Sequence, residues 1–235
     1  MKKLVLPLLL AAAAVLPLLA HDAWVDPLGG PVYQILYGHK ETESYPAAKV
    51  TSLQVLDAGQ HFLPYTRQTS DKGVSITPQG KPAMFALEFD NGYWVKDPST
   101  EKSTNVRLSS RPAAERPGLL GSRVFKFSKT MLHWELWMFK PFGQRLEFVP
   151  ESFTGPLRAG QSFRVRLLLD GQPLAGELVD NNNTTAGPRT DATGLATITL
   201  VQGVNRLSST HDIAQAADPE FTRLSLNASL VFVAE

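Results

Sequence analysis

The chain carries five histidines, His21, His39, His61, His133 and His211, and no cysteine. Thiolate metal sites, thiol redox chemistry and a lipid anchor on cysteine are therefore excluded, and any metal must be held by nitrogen and oxygen donors. His21 stands apart because of what precedes it. Lys2 and Lys3 form a basic start, residues 4–19 carry no charge, and Ala20 is small. That order of basic, apolar and small residues is the pattern of a secretory signal peptide with cleavage after Ala20. The apolar run is shorter than the roughly 20 residues needed to span a bilayer, and Pro7 and Pro17 interrupt it, so cleavage is expected rather than anchoring. Cleavage would make His21 the first residue. A terminal histidine offers its α-amine and its imidazole Nδ1 to one metal ion in a six-membered chelate ring. With a pKa of roughly 8, the amine can exchange its proton for a metal near neutral pH.

Further imidazoles would complete a nitrogen-rich site suited to nickel, cobalt or copper rather than calcium or magnesium. His39 and His211 are the candidates, each expected at the end of a strand. Asp22 and Asp26 are positioned to orient an imidazole by hydrogen bonding. Glu41 and Glu43 share a face with His39 if the strand continues, and so offer an oxygen ligand. His61 reads as a turn residue beside Asp57-Ala58-Gly59-Gln60, and His133, among Leu132, Trp134 and Trp137, as a core or interface histidine. Enzyme motifs are missing: the sequence holds no Gly-x-Ser-x-Gly, no His-Glu-x-x-His, no phosphate loop and no dinucleotide fingerprint. A terminal histidine plus a second one matches, in ligand type alone, the copper brace of oxidative polysaccharide-cleaving enzymes. A non-enzymatic protein is expected.

Strands must position these groups. Residues 31–38, 49–56, 163–169, 195–200 and 224–233 are β-branched, aromatic or alternating, and Gly, Pro and Asp turns bound them. Residues 84–89 and 93–95 flank Asp90-Asn91-Gly92, which predicts a hairpin. Residues 129–138 fit either a helix or a buried strand. Residues 97–121 form a long polar loop. The pattern predicts an all-β protein of antiparallel β-sandwich type with two Ig-like domains, residues 21–143 and 144–235, after a signal peptide at 1–20. Loops gather at the ends of a sandwich, so the new N-terminus, the loop after the first strand and a late loop can meet there. Removal of Lys2 and Lys3 takes the formal charge from +1 to −1, which gives no reason to expect nucleic acid or an anionic membrane as partner. No later segment is apolar enough for stable membrane insertion.

His21-Asp22-Ala23-Trp24-Val25-Asp26-Pro27 resembles the mature start of a bacterial family of unknown function, DUF4198. The usual opening there is His-Asp-aromatic-Trp-Leu-Glu-Pro, from which Ala23 departs. Tyr37-Gly38-His39, the segment 143–176, Thr190-Asp191-Ala192-Thr193-Gly194 and His211 extend the resemblance in patches over most of the mature chain. It implies a periplasmic component associated with nickel and cobalt uptake. On that reading a divalent transition metal is held by His21, His39 and His211, and the partner is a metal transporter component in the cell envelope. Two alternatives stand beside it. One is copper on the same ligands; the other is a metal-free module recognising carbohydrate or an envelope partner through aromatics such as Tyr33, Tyr37, Tyr93 and Trp94.

Overall fold

A computed structural model describes residues 21–182, 187–215 and 218–235, and these are all-β. One four-stranded antiparallel sheet holds β1 (Asp22–Val25), β2 (Tyr33–Gly38), β5 (Gly73–Pro78) and β4 (Tyr65–Ser70), in that order. Another is built on β10 (Ser162–Leu169), which pairs with β9 (Leu146–Pro150), β11 (Gln172–Pro173) and β13 (Leu195–Thr199). Between them runs a seven-stranded sheet in the order β12 (Asp180–Asn181), β14 (Gly203–Ala214), β15 (Arg223–Ala234), β8 (Leu120–Met131), β6 (Met84–Lys96) and β3 (Val50–Leu56), with β7 (Ser103–Thr104) also on β6. The signal-peptide segment, residues 1–20, lies outside the described residues. Among the described residues, no helix is long and apolar enough to cross a membrane.

The central sheet is apolar on both faces because its strands are. In β6, Phe85, Leu87 and Phe89 join one core with Val25, Ile35, Tyr37 and Ile76, while Met84 and Ala86 join the other. Each fully buried side chain of this size contributes roughly 1.5–3 kcal/mol. In β15, Leu224, Leu226, Ala228, Leu230 and Phe232 all enter the second core, as period-2 alternation requires. The small sheets thus cover opposite faces of the large one. Strands β8 and β15 pair in parallel from Arg223↔Ser122 to Val231↔Thr130. This contact joins the segments before and after Gly143 in one sheet and makes it mixed rather than purely antiparallel.

Several local expectations change. Asp90-Asn91-Gly92 is a bulge within β6, not a hairpin: the register on β8 shifts between Asp90 and Gly92. Gly92 takes a positive φ of 80°, and the Asp90 carboxylate accepts its N–H at 2.8 Å. Tertiary pairing along the whole of β8 outweighs the local turn signal. Residues 129–138 are neither one helix nor one strand, since β8 ends at Met131 and a 3-10 turn follows at Leu136–Phe139. The polar stretch 97–121 contains β7 and two 3-10 turns. Arg116 pins it through hydrogen bonds of 2.9 Å to the carbonyls of Ser109 and Arg111. His211 lies inside β14 rather than in a late loop.

Candidate functional site

Strand β1 lies across a buried polar strip of the central sheet. Lys126, Ser128 and Thr130 of β8 and Asn227 and Ser229 of β15 are all nearly inaccessible. The parallel register sets Lys126 beside Asn227. Thr130 Oγ1 donates to Val25 O at 2.9 Å, and Lys126 Nζ donates to His21 O. Asp22 is fully buried over this strip, with its Oδ2 3.0 Å from Arg206 Nε. A carboxylate taken out of water needs such partners. Burial pushes the Asp22 carboxyl above its ordinary range, against the pull of Arg206 and then Lys126. Burial also pulls the Lys126 ammonium down to about 8, against the attraction of Asp22. The Arg206 guanidinium lies 4.0 Å over the Trp24 ring, and Nη2 donates to His39 O at 2.7 Å.

The next layer outward holds the histidines. Pairing of Asp22 with Gly38 is the last in the β1–β2 ladder, so residues 21 and 39 emerge together at one end of the hairpin. The chain then reverses sharply. Gly38 has φ +148°, and a Cβ there would lie 2.1 Å from the Glu41 carbonyl oxygen, so only glycine fits. The reversal returns Glu43 to Tyr37, where its N–H donates to Tyr37 O at 2.7 Å. Glu43 Oε1 then meets His21 Nε2 at 2.6 Å. The His21 ring stacks on Tyr37 with centroids 5.3 Å apart and planes 15° apart, and Tyr37 stacks in turn on Phe89 at 5.2 Å. A carboxylate only accepts, so a neutral His21 ring donates from Nε2 to Glu43 and has Nδ1 as its lone-pair atom for a metal. Burial, then the charge of Arg206, lowers the pKa of His39 and favours its neutral, metal-binding form.

The remaining expected residues lie elsewhere. His211 pairs opposite Leu226 on β15, so it faces the core beneath the sheet, whereas Arg206, five residues earlier, faces β1. Its Nδ1 meets Glu177 at 2.8 Å. His211 therefore does not join His21 and His39. Asp26 follows the other end of β1, about 13 Å along the strand from Asp22, and accepts the Leu28 N–H at 3.0 Å. Glu41 is exposed in the turn, because β2 stops at Gly38 and does not carry 39, 41 and 43 along one face. His61 bonds Asp57 at 3.2 Å, in keeping with a turn residue. Among the described residues, no group of three or more His, Cys, Asp or Glu side chains is arranged to hold a metal ion. The nitrogen donors nearest one another in the chain's course are those of His21 and His39, at the same end of the β1–β2 ladder; the α-amine of a processed His21 would be a third nitrogen. Three such nitrogens suit a borderline metal.

Sequence reasoning missed Lys126, Arg206 and the stacking role of Tyr37. A signal existed for the first, since Phe125-Lys126-Phe127 places a lysine between aromatics in a strand. Nothing local distinguishes Arg206.

Comparison with known proteins agrees with the resemblance at the N-terminus. The family described as a domain of unknown function (DUF4198) matches residues 18–212, and the chain belongs to it. The chain is also similar to an uncharacterized protein of Haemophilus influenzae, 26% identical over 217 residues that cover 92% of this chain and 91% of that one. No solved structure matches it.

Proposed function

We propose that this DUF4198 chain is an exported, non-enzymatic protein that binds a divalent transition metal, nickel or cobalt, and serves its uptake in the periplasm. The observation that supports the proposal is the pairing of His21 Nε2 with Glu43 at the end of the hairpin where residue 39 also emerges: that contact occupies Nε2 and leaves Nδ1, the ring atom the chelate needs. Signal cleavage would add the α-amine of His21 and so create the chelate. The residues resembling the family opening, His21 to Pro27, are the ones that build this corner, which supports the nickel and cobalt assignment. The metal is cargo here, passed to a transporter component in the envelope. His211 has no part in the site.

Copper is the second reading. Two imidazoles and one amine bind copper more tightly than nickel or cobalt on the general affinity order, so the same corner serves copper wherever that metal is supplied. Calorimetric titration of protein beginning at His21 with nickel, cobalt and copper separates the readings. Binding of nickel or cobalt, weakened strongly by one extra residue before His21, is the expected result. No binding of any of the three would leave a metal-free envelope module as the surviving reading. Equal affinity with and without the extra residue would remove the amine from the ligand set.

A further inference from the structure

We infer that Arg206, on a strand from the far half of the chain, is a positioning residue for the metal site, setting His39 relative to His21. This rests on the metal-binding reading above and assigns it a residue outside the N-terminal segment.

The geometry is that of one planar group with three partners. The Arg206 side chain is 11% exposed, with Nε 3.0 Å from the Asp22 carboxylate. Nη2 donates to the backbone oxygen of His39 at 2.7 Å, and the guanidinium carbon lies 4.0 Å over the Trp24 ring. Asp22 and Trp24 fix it to β1, and the His39 contact fixes it to the chain just beyond β2. That last contact matters because β1–β2 pairing ends at Asp22↔Gly38. His39 therefore stands one residue past the ladder, and sheet hydrogen bonds do not determine where its ring sits. Arg206 adds a constraint there, by holding the His39 carbonyl. Its planar guanidinium donates Nη2–H to the His39 carbonyl while its charge lies 3.0 Å from the Asp22 carboxylate; a lysine ammonium is a point charge on a flexible stem and does not hold both positions. Arg206 itself is held by β14, whose pairing with β15 is regular from Gly203↔Ala234 to Ala214↔Arg223. The two imidazoles are thus referred to one rigid sheet, and donors held in place lose less freedom when a metal binds.

The test uses protein beginning at His21 and compares it with R206K, R206Q and the double variant D22N/R206Q, each checked for folding by circular dichroism and urea midpoint. Removing Arg206 alone leaves the Asp22 carboxylate short of its partner. The double variant removes both charges and keeps the question answerable if R206Q does not fold. Nickel and cobalt affinities are measured by calorimetry, and the cobalt visible spectrum reports the geometry of the donors. R206K and D22N/R206Q should bind about 10–100-fold more weakly, the range for groups that orient a ligand, with an altered cobalt spectrum. In an H39A background R206K should cost less than about twofold more, because its effect runs through His39. Wild-type affinity and spectrum in R206K, or the same fold-loss with and without His39, would overturn the inference while leaving metal binding intact. Absence of binding by the unaltered protein would remove the functional reading and this inference with it.

Discussion

Replacement of Glu43 is the most direct test of how the corner is organised. The carboxylate touches His21 Nε2 at 2.6 Å, yet its side chain is 55% exposed and that of His21 35% exposed. As an ion pair in water it is worth at most about 1 kcal/mol to stability, so E43A should leave the urea midpoint almost unchanged. Metal affinity should move more. Groups that orient a metal-bound imidazole are worth about 10–100-fold in affinity. The lower end applies because Tyr37 also restrains the ring, stacked 15° from parallel. E43A should therefore weaken nickel binding about tenfold, which corresponds to about 1.4 kcal/mol. E43Q keeps an acceptor for the Nε2 proton and should cost about threefold. Calorimetry on protein starting at His21 measures both. Unchanged or tighter binding by E43A would refute the orienting role. A loss beyond about a thousandfold would refute it differently, by making Glu43 a ligand rather than a partner of one.

H211A should leave nickel affinity within twofold and lower stability by about 0.5–1 kcal/mol, the cost of a partly buried pair with Glu177 on the opposite face, read from paired titration and urea curves. E147A should cost about 3–5 kcal/mol in urea unfolding, because it strands the buried Lys129 ammonium, 2.5 Å from Glu147 Oε1, and three N–H groups of Phe142, Gly143 and Gln144. K129M/E147L should recover much of that loss, and no recovery would mean that the carboxylate serves chiefly the loop. Asp90 is held below its ordinary 3.8 chiefly by its hydrogen bonds from Arg123. That stabilisation is complete above about pH 4 and is lost as pH falls through the lowered value, so D90N should flatten the acid limb of the stability curve by about 1 kcal/mol.

The alternating strands were legible from the sequence because alternation survives burial on one face. Residues 224–233 present Leu224, Leu226, Ala228, Leu230 and Phe232 to one core, as the pattern predicts. Strand β4 was not legible, since Tyr65–Ser70 is almost wholly exposed and carries no apolar period, while β5 carries only the short alternation of Val74 and Ile76. Strand β8 was obscured for the opposite reason. Its Lys126 and Lys129 look like solvent-facing charges, yet they are buried on opposite faces, one against β1 and one against Glu147. Only the three-layer arrangement makes both faces of that strand interior. Parallel pairing of β8 with β15 joins residues about a hundred apart in sequence, and no local pattern encodes such a contact.

The His-Asp opening gains its meaning from the same alternation. Adjacent residues on a strand point to opposite sides, so the pair divides the labour: Asp22 meets Arg206 on one face, and His21, on the face of Ala23 and Val25, lies against Tyr37 and Glu43. Asp22 thus serves as the anchor of β1 and not as a direct partner of the imidazole, which Glu43 supplies. Among the described residues, the hydrogen bonds and ion pair that fix β1 to the central sheet use the His21 carbonyl or a residue after it, and these do not involve the His21 nitrogen. Docking of β1 and release of the amine are therefore separable, and a residue retained before His21 can spoil a chelate without loosening the strand that presents it. Loss of metal binding with unchanged unfolding behaviour in such a protein isolates the amine as a ligand; a parallel loss of stability would place the effect in the anchor instead.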